Sequence, residues 1–262
     1  MISIKNVRKA FSEKKVLNGL DLDIPQGETL VIMGRSGCGK SVLLKIIAGL
    51  LPVDSGEVWI NGTEISHLSK NGLNQIRRKI GMLFQSAALF DSMSVAENVA
   101  FMLDQHTQMS KQEMRKIVDE KLALVDLDGV QELRPAELSG GMRKRVGLAR
   151  ALAFNPDIIL YDEPTTGLDP VTCTEINELI RGLHEKLEVT SIVVTHDMHS
   201  AFSVATLMVM LHEGKQAAYG TPEALINDED PTLQQFILFG APDQILNIDN
   251  PTLKEFTGRN VS

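Results

Sequence analysis

The chain has 262 residues, 43% of them hydrophobic and 23% charged, with a formal net charge of −8; this suits a globular fold and leaves no basic excess for broad nucleic-acid binding. No stretch reaches the roughly 18 consecutive apolar residues that span a bilayer, and residues 1–5 lack the charged start and apolar run of a secretory signal. A cytoplasmic chain is expected, peripheral to any membrane it serves, with Cys38 and Cys173 as free thiols.

Residues 2–7 and 16–24 alternate apolar and polar side chains about a polar stretch at 11–15, which predicts strands joined by a turn. Pro25-Gln26-Gly27 is a turn signal, and 29–33 is a short β-prone apolar run. A glycine-rich segment follows, and then 41–51 has helical spacing with Leu43, Leu44, Ile47 and Leu50 on one face. Residues 58–60 followed by Asn61-Gly62 predict a hairpin. Residues 80–84 read as a strand ending at Gln85, and 92–153 read as mostly helical, with 110–125 amphipathic and 139–154 carrying Arg and Lys on one side. Further strands are expected at 158–161, 191–195, 204–211 and 216–219, with a helix at 172–187. Alternating strands and helices predict an α/β core, interrupted by an inserted helical subdomain over about 87–157. Residues 226–236 recur as 246–256 with Asn, Pro, Thr, Leu and Phe in register. That repeat reads either as a duplicated helix start with Pro in the first turn or as an extension that docks on a partner.

Gly34-Arg35-Ser36-Gly37-Cys38-Gly39-Lys40-Ser41 fits the pattern G-x-x-x-x-G-K-[ST] between a predicted strand and a predicted helix. A triphosphate carries several negative charges, so such a loop wraps it in backbone N–H groups that glycines allow to come close. The helix start adds its positive end, Lys40 a cation for the β- and γ-phosphates, and the Ser41 hydroxyl a ligand for Mg²⁺. Cys38 fits the loop as a small residue; a thiolate beside a helix start would also be reactive. The apolar run at 158–161 ends in Asp162 and Glu163. An Asp there can hold Mg²⁺ through its water shell, and the adjacent Glu can orient or deprotonate water. Gln85 and His196 end two further strands, and ligands gather outside the carboxyl ends of strands in open α/β sheets.

Leu138-Ser139-Gly140-Gly141-Met142 resembles the LSGGQ signature of ABC ATPases, with Met142 at the usual Gln position. Together with the phosphate loop, Gln85, Asp162-Glu163, Gly167-Leu168-Asp169 and His196, it completes the order of that family's motifs. The resemblance implies a P-loop NTPase core of ABC ATPase type over residues 1–240 with an N-terminal antiparallel β subdomain; residues 241–262 are left as a C-terminal extension, an interaction tail if the repeat docks on a partner. It further implies that Phe11 stacks on adenine beside Val16, and that residues 34–42, through Val42, contact ATP. Gln85 would sense Mg²⁺ and water and couple to a transmembrane partner. Ser139, Gly140 and Gly141 would meet the γ-phosphate of ATP held by a second copy of the chain, and Asp169 would make a cross-dimer contact. Glu163 would be the general base and His196 the γ-phosphate clamp. Val42 stands where Thr is frequent, and Gly167 where Ser or Ala is commoner; neither change touches a nameable ligand role.

Residues 89–95, 138–146 and 165–170 look most similar to the ATPases of Mla/MCE lipid-transport systems. That implies phospholipid as cargo, permease subunits and an MCE-type lipid-binding subunit as partners, and a place on the cytoplasmic face of the inner membrane. An amino-acid importer ATPase and a cell-division or other non-transport ABC ATPase remain open. A ribosome- or DNA-acting ABC protein is disfavoured by the single phosphate loop.

Overall fold

A computed structural model describes residues 1–240. The first half of the chain runs β1 (Ile2–Phe11), β2 (Lys14–Ile24), β3 (Thr29–Met33), α1 (Lys40–Ile47), β4 (Ser55–Ile60), β5 (Thr63–Glu64), α2 (Lys70–Arg77), β6 (Ile80–Leu83), α3 (Val95–His106) and α4 (Lys111–Ala123). After a 3-10 turn at Pro135–Glu137 come α5 (Gly140–Leu152), β7 (Ile158–Asp162), α6 (Pro170–Leu187), β8 (Thr190–Val194), α7 (Met198–Val204) and β9 (Leu207–His212). β10 (Lys215–Gly220), α8 (Pro222–Ile226) and α9 (Pro231–Gly240) complete the described chain.

Two sheets form. The first is antiparallel, in the order β2-β1-β4-β5, and its last hairpin turns on Asn61 and Gly62, both at positive φ as a two-residue primed turn requires. The second has the order β10-β9-β3-β8-β7-β6, parallel from β9 to β6 with β10 added antiparallel at one edge. Every residue of β3 is buried, as expected of a strand covered on both faces. Leu30 and Ile32 join a core shared with the antiparallel sheet and α1, while Val31 and Met33 join the core under α3–α7. Full burial of each such side chain is worth about 1.5–3 kcal/mol.

The helical block lies between β6 and β7, which are neighbours in the sheet. Ser94 with Glu97 and Ser110 with Glu113 form reciprocal capping boxes that start α3 and α4. The structure departs from the sequence reading at four places. Residues 70–77 and 222–226 are helical, and Val204 ends α7 rather than opening a strand. Met198, Ala201 and Val204 are buried at helical spacing behind an Asp197 cap, and β9 begins only at Leu207. Helix α1 stops before Gly49, whose φ of 65° ends it, so Leu50 is 49% exposed instead of lying on the buried face. The first repeat copy is the end of α8 and the start of α9, with Pro231 as first residue and Asp230 Oδ1 accepting from the Leu233 N–H. The second copy lies outside the described residues.

Candidate functional site

The turn from β3 to α1 is built for close approach. Gly34 has φ 146°, and a Cβ there would lie 2.4 Å from the Leu211 carbonyl oxygen, so no other residue fits without displacing β9. Gly39 caps α1 at φ 109° with no side-chain cap and no acid in the first turn, which leaves the helix start open to an anion. Lys40 is 8% exposed, and its ammonium donates to the Gly34 carbonyl at 2.7 Å and the Arg35 carbonyl at 3.3 Å. Above the loop, the β1–β2 hairpin supplies Phe11, Lys14 and Val16. Phe11 is 46% exposed, with the Lys9 ammonium 5.6 Å from its ring centre.

The carboxyl ends of β6, β7 and β8 bring the remaining groups. Ser41 Oγ donates to Asp162 Oδ1 at 3.0 Å. Glu163 stands in the left-handed region at φ 51°, a conformation that costs a non-glycine residue about 1–3 kcal/mol. Its N–H donates to the Val194 carbonyl of β8 at 2.8 Å, and its Oε2 accepts from Thr166 Oγ1 at 3.0 Å and lies 2.8 Å from His196 Nδ1. Glu163, His196, Gln85, Lys40, Ser36, Gly37, Gly39, Ser41 and Val42 line one cavity of about 580 Å³ with the hairpin residues. Asp162 reaches it through Ser41, while Gly34, Arg35 and Cys38 belong to the loop without lining the cavity.

Ser139, Gly140, Gly141 and Asp169 do not line that cavity. They form a second cluster. Ser139 is exposed and caps α5 by accepting from the Met142 N–H; Asp169 is exposed and caps α6 by accepting from the Val171 and Thr172 N–H groups. The two helix starts touch: a Cβ on Gly141 would sit 2.6 Å from Thr172 Cγ2. The Thr172 hydroxyl, followed by its N–H, holds the Asp169 carboxyl below the usual range.

The basic side expected of α5 is divided among several directions. Arg143 reaches the Leu138 carbonyl, Arg145 the Val125 carbonyl with Asp126 and Glu175, and Arg150 the Ala87 and Ala88 carbonyls. Lys144 turns inward and is 5% exposed. Its ammonium donates to the Gln85 carbonyl at 2.6 Å and the Glu163 carbonyl at 3.0 Å. Burial pushes its pKa down to about 8, against the pull of the Glu163 and Asp162 carboxylates. Burial also pushes the Cys38 thiol up, outweighing Lys40, so the loop does not make it the reactive thiolate that a helix start alone suggests. Cys38 and Cys173 are both free.

Lys14, Thr166 and Lys144 escaped the sequence reading. Thr166 carries a signal in its spacing, three residues beyond Glu163 across a turn. Lys14 and Lys144 sit in runs of basic or polar residues that give no sign of a pocket.

The sequence model of the ABC transporter family matches residues 17–166. The intermembrane phospholipid transport system ATP-binding protein MlaF of Haemophilus influenzae is 42% identical over 237 residues, spanning 90% of each chain. The probable ribonucleotide transport ATP-binding protein mkl of Mycobacterium leprae is 43% identical over 236 residues, 90% of this chain and 68% of that one. Among solved structures, a dimeric post-hydrolysis state of the ATP-binding cassette MJ0796 bound to ADP and Pi superposes with TM-score 0.77 at 37% identity, covering 84% of this chain and 98% of that one. With the phosphate loop, the strand-end acids and the separate signature cluster all in place, the chain belongs to the ABC transporter family of ATP-binding proteins.

Proposed function

We propose that this ABC ATPase works as a pair of copies closing on two ATP molecules, and that its cycle drives phospholipid transfer through a membrane partner. The observation that carries the reading is the division of the site. Lys40, Ser41, Gln85, Glu163 and His196 share one cavity, while Ser139 and Asp169, both exposed, form with the half-buried Gly140 and the buried Gly141 a cluster outside it. A helix start with free N–H groups binds phosphate, so a second copy's Ser139, Gly140 and Gly141 would complete the cavity from across a two-fold axis, with its Asp169 beside them.

Within one cavity, Lys40 would leave the Gly34 and Arg35 carbonyls for the β- and γ-phosphates. Phe11 and Val16 would pack against the base. Ser41 and Asp162, an all-oxygen pair 3.0 Å apart, suit Mg²⁺. When bound, that cation would neutralise phosphate oxygens, with Gln85 reaching toward its water shell. Glu163 would take the proton of the attacking water, and His196, now paired with it, would turn to the γ-phosphate.

An apolar groove of about 510 Å³ beside the Gln85 loop exposes Phe84, Phe90, Phe101 and Phe154 together with Arg77 and Arg150. It suits an apolar helix end of a permease, placed so that closure of the pair moves both together. Among the described residues no helix is long and apolar enough to cross a membrane. The cargo reading rests on the phospholipid transport named for the Haemophilus relative, and an MCE-type subunit is proposed as the lipid carrier of the same complex.

Replacing Glu163 with Gln tests the chemistry. ATP turnover is expected to fall by about 10²–10⁴-fold, the usual worth of a general base, with ATP binding retained; undiminished turnover would remove Glu163 from that role. Affinity purification of the complex from native membrane tests the cargo. Co-purifying permease with bound phospholipid supports it, and a nucleotide- or amino-acid-binding partner instead overturns it.

A further inference from the structure

Helix α5 does two things at once. Its N-terminus carries Ser139–Gly141, and one turn further on it sends Lys144 into the protein. Among the described residues, Lys144 bonds to no side chain. Both of its hydrogen bonds go to main-chain carbonyls, one at the end of the β6 segment and one just beyond β7. Those carbonyls belong to Gln85 and Glu163, whose side chains line the nucleotide cavity. Further along α5, Arg150 holds the same loop by the Ala87 and Ala88 carbonyls, where both alanines are at positive φ. The Glu163 main chain is likewise in the left-handed region. Both loops are therefore held in backbone conformations that their own sequence disfavours, and α5 is the element that grips them.

We propose that Lys144 is a positioning residue for hydrolysis: its ammonium fixes the Gln85 loop and the Glu163 main chain at one spacing and makes both follow the helix that meets the second copy's ATP. This rests on the ATPase reading above. Lys144 touches neither phosphate nor water in that reading; it acts through Gln85 and Glu163. A fixed spacing matters because the attacking water must be held between the two side chains, and a misplacement of about 1 Å costs about 10²-fold in rate. In that reading the ground-state hold on ATP falls to the phosphate loop with Phe11 and Val16, none of which hydrogen-bonds to Lys144. Loss of Lys144 should therefore slow the chemical step and leave nucleotide affinity alone.

The test is steady-state ATPase kinetics of the full chain with Lys144→Met, which keeps an unbranched side chain one atom shorter and removes its donors. The expected result is a kcat lowered by about 10²-fold with KM for ATP unchanged within about threefold, and substantial recovery of kcat in Lys144→Arg, which restores a cationic donor. A folded Lys144→Met with wild-type kcat overturns the proposal, as does a loss that appears equally in KM and is not recovered by Arg. If Lys144→Met does not fold, Lys144→Gln takes its place under the same criteria. Failure of both to fold would make Lys144 a folding residue and overturn the proposal too. Glu163→Gln measured alongside separates the two levels. Turnover retained there sinks the ATPase assignment of Glu163, whereas turnover lost there with full kcat in Lys144→Met sinks only the role of Lys144.

Discussion

Asp54 stands just before β4 with its oxygens divided between Lys9 Nζ at 2.6 Å and the Ala10 N–H at 2.7 Å. The Lys9 hydrogen bond, followed by the Ala10 N–H, lowers its carboxyl pKa. A carboxylate whose folded pKa is depressed contributes stability above its unfolded value, and that contribution is lost as pH falls through the folded one. Asp54→Asn is therefore expected to be less stable than the wild type at neutral pH, with the gap closing in acid below about pH 4. Urea midpoints at both pH values check this, and a gap independent of pH would show that the charge contributes nothing. At this scale the sequence revealed the residues whose type and spacing imply chemistry, such as Lys40 before Ser41 and Asp162 before Glu163. It hid Lys144, because a lysine in a run of Arg and Lys is ordinarily a surface residue. Only the fold brings two carbonyls from distant loops to its ammonium.

Asn98 does for α3 what Lys144 does for α5. It is fully buried, accepts from the Phe90 N–H, and donates to the Phe90, Met93 and Ser94 carbonyls. One side chain thus shapes the 90–94 loop and places Phe90 against Phe101 in the groove, ring centres 4.6 Å apart. Asn98→Leu should cost about 1–3 kcal/mol, because the Phe90 N–H is left without its partner; denaturant unfolding measures it. The same variant should bind the proposed permease partner more weakly while its ATP affinity is unchanged, which a pull-down and a nucleotide titration separate. Elements with a strong local signal were legible, including β3, apolar apart from Thr29, and the Asn61-Gly62 hairpin. Helix α2 was not, since none of its residues is fully buried and its apolar face is only Leu73 and Ile76 in an otherwise polar eight-residue segment. Helix α7 was misjudged at Val204, where a β-branched residue ends a short helix three positions before a strand.

At the scale of the molecule, the proposed pair would set the cavity around Lys40 against a second copy's exposed Ser139 and Asp169. Glu163→Gln with ATP should elute from a sizing column as a dimer and revert to monomer when nucleotide is removed; a monomer at saturating ATP would count against the pair. The α/β class and the helical block between β6 and β7 could be read from the order of elements. The strand order could not, because no local pattern reveals that β3 lies between β8 and β9. That position also bears on synthesis. β1, β2, β4 and β5 have all their strand-pairing partners within residues 2–64, so their sheet can pair while the rest of the chain is still on the ribosome. β3 has none until residues 190–194 and 207–212 emerge. A strand apolar on both faces must wait through most of translation, and pairing over such separations is slow and exposed to aggregation. The segment that leads into the phosphate loop is thus among the first made and among the last to find its neighbours.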